Sequence, residues 1–192
     1  MDLILGSSSA IRRAMLAAAG VEFRVIAAGI DEAALKDGGS PTEVAQRLAD
    51  AKALAVSAAQ RDAWVIGSDS LASVDGRCFD KPNDREQAAE HLRFFSGKTI
   101  KLTSAVALAK DGRVDWREAD TARLDVRELS DAFIASYLAA EWPEVGYCVG
   151  VFRLEGRGVQ LFEAIDGDHF TILGMPLLPL LGALRTRGLI AA

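Results

Sequence analysis

WVIGSDSLASVDGRCFDKP, running from Trp64 to Pro82, reads as a buried strand followed by a hairpin. Trp64-Val65-Ile66 is an apolar run, and Gly67 is expected to stop it by letting the backbone turn tightly. Asp69 is then expected at the mouth of the strand. In open α/β sheets, ligands bind outside the carboxyl ends of strands, which makes a carboxylate released there a candidate site residue. Lys81, beyond the turn at Val74-Asp75-Gly76, is a second candidate. The plain alternative is a turn aspartate and a solvated lysine.

Upstream, Leu3-Ile4-Leu5 reads as a short buried strand that passes through Gly6-Ser7-Ser8-Ser9 into a helix from Ala10 to Ala19. A small-residue loop ahead of a helix start turns backbone N–H groups and hydroxyls toward one spot, with the positive end of the helix dipole behind them, and so suits phosphate. Arg12 and Arg13 bring two full charges to that turn. An alternation from Val21 to Ile26 predicts a second strand, delivering Asp31 and Glu32 beyond its end. Ser40-Pro41-Thr42-Glu43 has the form of a capping box with proline at the first helical position, and predicts a helix to Gln60. Its apolar stripe is read as Val44, Leu48, Ala51 and Ala55, which places Lys52 beside the stripe at the edge of the core.

Downstream, Asp84 to Phe95 predicts an amphipathic helix closed by Ser96-Gly97. Lys98–Ala109 and Val114–Val126 predict a long hairpin across Lys110-Asp111-Gly112-Arg113. Ser130 caps a helix that ends before Trp142-Pro143; Val159 to Ile165 predicts a strand, Asp166 to His169 a turn, and Leu177 to Arg187 an apolar helix. The alternation of strands and helices indicates an α/β fold. With no repeat or linker, residues 1–192 are expected to form a single domain of two lobes.

Composition narrows the function classes. A net charge of −5 argues against a nucleic-acid or anionic-membrane surface, both of which call for clustered positive charge, but leaves room for a small anion held by local cations. Cys78 and Cys148 form no C-x-x-C pair, and His91 and His169 are too few and scattered for a histidine metal site. With no signal-peptide pattern and no long apolar run, a cytoplasmic location is expected.

Read in order, Ser7-x-Ser9-x-x-Arg12-Arg13, Ile30-Asp31-Glu32, Ala51-Lys52-Ala53, Gly67-Ser68-Asp69-Ser70 and Asp80-Lys81-Pro82 resemble the Maf family of nucleoside triphosphate pyrophosphatases. The resemblance extends to Ile172-Leu173-Gly174-Met175-Pro176-Leu177. It implies a Maf/ITPase-like α/β fold, an elongated mixed β-sheet flanked by helices in two lobes with a central cleft, often assembled as a homodimer. It implies cleavage of a nucleoside triphosphate between its α- and β-phosphates, assisted by a divalent metal cation, Mg²⁺ or Mn²⁺. Carried over by position, Ser7, Arg12 and Arg13 line the phosphate end, while Lys52 and Lys81 contact the triphosphate. Glu32 holds the metal, and Asp69 serves as general base and as a metal ligand.

Within the family the chain is similar to the branch acting on 7-methyl-GTP. It lacks the proline of Ser-x-Ser-Pro and carries one additional residue before the arginines, and it has Cys148 and Glu155 as that branch does. It departs from the branch at Ile11, where an aromatic residue is usual, and at Ser70, where an amide is usual. Ile11, Ser70 and Glu155 are therefore the candidate specificity residues. A competing reading is a non-catalytic nucleotide-binding regulator linked to cell division, which would need no base beside the phosphates.

Overall fold

The computed structural model describes residues 2–191. The strands are β1 (Leu3–Leu5), β2 (Arg24–Val25), β3 (Trp64–Val74), β4 (Arg77–Phe79), β5 (Thr99–Lys110), β6 (Arg113–Val126) and β7 (Phe162–Asp166). The helices are α1 (Ala10–Ala18), α2 (Pro41–Ala59), α3 (Arg85–Phe95), α4 (Asp131–Glu141), α5 (His169–Leu173) and α6 (Leu177–Thr186). Among the described residues the strands make one seven-stranded sheet in the order β2-β1-β3-β5-β6-β7, with β4 paired on β3. β1 runs parallel to β2 and β3, whereas β3–β4 and β6–β7 are antiparallel, so the sheet is mixed and the fold α/β. No helix among the described residues is long and apolar enough to cross a membrane.

Local chemistry sets most boundaries. Ser9, Ser40, Asp84, Ser130 and Asp168 each cap a helix by accepting a backbone N–H, and Ser40 with Glu43 completes the reciprocal capping box, a device worth about 1 kcal/mol. Asp75-Gly76 turns β3 into β4 and Asp111-Gly112 turns β5 into β6; all four residues have positive φ, as two-residue hairpin turns require.

The structure corrects four expectations. First, β3 does not stop at Gly67 but continues to Val74, so Asp69 lies inside the strand rather than at its mouth. Gly67 serves close packing instead of a turn: a Cβ there would lie 2.2 Å from the Ala49 carbonyl oxygen and 2.5 Å from the Ala53 nitrogen. Second, the buried face of α2 includes Ala45, Ala49 and Ala53 together with Val44, Leu48 and Val56, while Ala55 is exposed, so Lys52 sits within the buried face. Third, the strand expected over 21–26 pairs only at Arg24 and Val25. Fourth, Arg157–Leu161 forms a 3₁₀ turn, so β7 begins at Phe162, and the turn expected at Asp166–His169 ends in the cap of α5.

The chain divides into two compact units, one of Met1–Ser70, Thr103–Thr121 and Asp168–Ala192, the other of Leu71–Leu102 and Ala122–Gly167. The first unit's core joins Leu5, Leu16, Ile66, Leu108, Met175 and Leu180. In the second, Phe79 meets His91 and Phe95 edge to face at centroid distances of 5.1 and 4.8 Å.

Candidate active site

Residues 67–70 lie in extended β3, so successive side chains alternate between its two faces. Gly67 and Asp69 face α2. Gly6 adds a second close approach, since a Cβ there would lie 3.2 Å from the carbonyl oxygens of Ile66 and Lys52. Two glycines thus let α2 rest almost on the backbones of β1 and β3. That proximity brings the Lys52 ammonium within 2.8 Å of Asp69 Oδ1. Glu32, which precedes a 3₁₀ turn at Ala33–Leu35, places Oε1 2.8 Å from the same nitrogen. Lys52 and Asp69 are 8% and 9% exposed, while the Glu32 side chain is 44% exposed. One buried ammonium therefore bridges two carboxylates, one buried and one open to solvent.

Ser68 and Ser70 point to the other face, where Ser68 donates to the carbonyl oxygen of Gly174 at 3.2 Å and Ser70 Oγ lies 3.1 Å from the same oxygen. Gly174 ends α5 in the left-handed region, at φ 114°, and its carbonyl also accepts from Arg12 Nε at 2.8 Å. Arg12 is buried, and its other two nitrogens are engaged as well: Nη1 donates to Ser7 Oγ at 3.4 Å and Nη2 to Ser70 Oγ at 2.9 Å. Burial lowers the Arg12 pKa from its ordinary value, opposed by the negative charges of Asp69 and Glu32. The guanidinium stays charged over any physiological pH, because an arginine starts so high. Two cations and two carboxylates thus stand together, and the small loop Ser7–Ser9 is ordered beside them by a 3.3 Å bond from the Ser9 N–H to Ser7 Oγ.

The structure gathers Ser7, Arg12, Glu32, Lys52, Asp69 and Ser70 within the first unit. The Arg13 side chain is exposed on α1 with no hydrogen-bond or ion-pair partner among the described residues, and Ile11 is half-buried on the same helix. Lys81 and Glu155 belong to the second unit, both exposed. There Arg153 Nε donates to Glu155 Oε1 at 3.3 Å. Cys148 lies within their influence: burial and the Glu155 charge push its thiol up to about 11, opposed by Arg153 and Lys81.

Sequence reasoning missed Ser68, Ser104, Asp120, Thr171 and Gly174. Ser104 Oγ lies 2.8 Å from Ser70 Oγ and donates to the Thr171 carbonyl at 2.7 Å; the Thr171 hydroxyl donates to Asp120 at 2.7 Å. For Ser104 the signal was a hydroxyl residue inside a strand otherwise rich in apolar ones, which reads equally well as β propensity.

The carboxylates form a small oxygen donor set. Among the described residues no group of three or more His, Cys, Asp or Glu side chains is placed to hold a metal. Two carboxylates are nonetheless what Mg²⁺ usually takes from a protein when substrate phosphates and water complete its octahedron. Both carboxylates reach the same ammonium at 2.8 Å, so the two converge on one point. Glu32 and Asp69 fit a hard divalent ion on these grounds.

A family model described as Maf-like protein matches residues 2–187. A 7-methyl-GTP pyrophosphatase of Rhizobium meliloti is 49% identical, covering 99% of this chain and 98% of its own length. Nucleoside triphosphate pyrophosphatases of Nitrobacter hamburgensis and Sphingopyxis alaskensis are 48% and 47% identical, each covering 98% of this chain and respectively 95% and 98% of their own lengths. Relatives named for a methylated and for an unspecified base are thus equally near.

Proposed function

The chain belongs to the Maf-like family, and from that premise we propose that it is a nucleoside triphosphate pyrophosphatase, hydrolysing its substrate to the nucleoside monophosphate and pyrophosphate. The observation that carries this reading is the Lys52 ammonium held 2.8 Å from both Glu32 and Asp69, with buried Arg12 beside them. Phosphoryl hydrolysis is chiefly positioning and charge neutralisation. Lys52 and Arg12 supply fixed positive charge without reorganisation, because folding has already desolvated and aimed them. Ser7 shapes the loop that receives the phosphates, and exposed Arg13 and Lys81 add cations whose contact with the triphosphate belongs to the same proposal.

Glu32 and Asp69 would hold Mg²⁺ or Mn²⁺, which when bound lowers the pKa of a coordinated water and offsets phosphate charge. Asp69 spends Oδ1 on Lys52, and its other oxygen takes the proton of the attacking water. The water oxygen bonds to phosphorus as the bond to the bridging oxygen breaks, and pyrophosphate leaves with that electron pair. Lys52 has two partners here and, with a triphosphate in place, a third class of oxygen to bind. Ile11 and Glu155 are the side chains proposed to read the base. Ser70 stands apart from them, its hydroxyl being committed to Arg12, Ser104 and Gly174.

Asp69→Asn tests this assignment. Turnover is expected to fall about a thousandfold, the scale of a lost general base, while the nucleotide dissociation constant changes little. Turnover at the parental rate removes Asp69 from the role.

A further inference from the structure

The hydroxyls behind Arg12 have a direction. Ser104 is fully buried and has one proton, which goes to the Thr171 carbonyl at 2.7 Å. The 2.8 Å contact between Ser104 and Ser70 therefore has Ser70 as donor and Ser104 as acceptor. With its proton turned that way, Ser70 presents lone pairs toward Arg12 Nη2, 2.9 Å away. The run from Arg12 through Ser70 and Ser104 to the Thr171 carbonyl is thus polar in one sense only. Its far end is fixed: the Thr171 side chain donates to Asp120 Oδ2 at 2.7 Å, while Asp120 Oδ1 accepts from the Thr121 N–H at 2.8 Å.

We propose that Ser104 is a positioning residue for the hydrolysis, acting through Ser70 to hold the Arg12 guanidinium in the orientation that meets the phosphates. The inference rests on the functional reading above, in which Arg12 binds phosphate. The Gly174 carbonyl takes Nε, Ser7 takes Nη1 and the Ser104–Ser70 pair takes Nη2, so three directions fix the plane of the guanidinium. Each Nη keeps a second N–H, and these two are what the arginine has left to offer a ligand. Without Ser104, the Ser70 proton has only the Gly174 carbonyl, 3.1 Å away, and one of the three fixing directions loosens.

A double-mutant cycle on the full chain, read as kcat/KM for triphosphate hydrolysis, decides the matter. Ser104→Ala is expected to cost about tenfold in the parental background, the scale of one buried hydrogen bond, and less than about twofold when Arg12 is already alanine. A merely structural role for Ser104 costs the same factor in both backgrounds, and that result overturns the proposal. Melting of each variant is followed in parallel, and if Ser104→Ala does not fold the same cycle is run with Ser104→Cys. An unmodified chain that hydrolyses no triphosphate overturns the functional reading and this proposal with it; turnover with additive factors overturns this proposal alone.

Discussion

The two units treat ionisable groups in opposite ways. In the first, Arg12, Lys52 and Asp69 are all buried while charged, each placed against an opposite charge or a hydrogen-bonding partner. The second buries groups in their neutral forms: burial lowers the His91 pKa and raises those of Tyr137 and Cys148. Its charged side chains sit at the surface, as in the ion pairs of Arg93 with Asp131 and Lys98 with Asp75. Buried charge is costly unless paired, so a fold that concentrates it in one unit has a use for it there. The proposed phosphate chemistry rests on this contrast.

Lys52→Met breaks the contrast most severely. It leaves Asp69 buried without its ammonium, and a loss of about 3 kcal/mol of stability is expected together with a fall of about a hundredfold in kcat/KM. Denaturant unfolding and steady-state kinetics read the two effects; a variant as stable and active as the parent would mean that the bridge is incidental. Gly67→Ala attacks the same cluster from behind. Its new Cβ would meet the Ala49 carbonyl at 2.2 Å, so α2 must move, at a cost of about 2 kcal/mol and with Lys52 drawn away from Asp69. An unchanged urea midpoint would show that α2 does not need the close approach.

The second unit gives the smallest effect, with a pH signature of its own. Burial, with Arg77 adding, lowers the pKa of His91, and Nδ1 is buried without a hydrogen-bond partner. The unfolded chain protonates this side chain near about 6.5 while the folded chain still holds it neutral. Below that pH the unfolded state binds the extra proton, so this contribution is present at neutral pH and is lost on acidification through the lowered folded value. His91→Phe is expected to shrink the drop in melting temperature between pH 7.5 and 5.5. An identical drop in both chains would assign the acid sensitivity elsewhere.

Local signals in the sequence carry far where they are chemically specific. The capping box at Ser40 and Glu43 starts α2 where expected, and Asp75-Gly76 and Asp111-Gly112 turn the hairpins. The signal failed at Gly67-Ser68-Asp69-Ser70 because glycine followed by small polar residues is what loops are made of. Only the tertiary neighbours, α2 on one face and the Gly174 carbonyl on the other, make a strand of it. Lys52 was legible as a candidate but was placed at the core's edge. The alanines at 45, 49 and 53 that bury its face are weak in any hydrophobicity pattern, and their value here is small size against β3. Ser104 and Asp120 left no specific trace in the sequence, because a hydroxyl network depends on bonded residues 34 to 67 positions apart in the chain.

Product analysis after incubating the unmodified chain with nucleoside triphosphates and Mg²⁺ is the most direct test. The charge cluster of the first unit predicts nucleoside monophosphate and pyrophosphate in equal amounts from at least one of them. Nucleoside diphosphate with inorganic phosphate, or saturable binding with no product from any triphosphate, would contradict it.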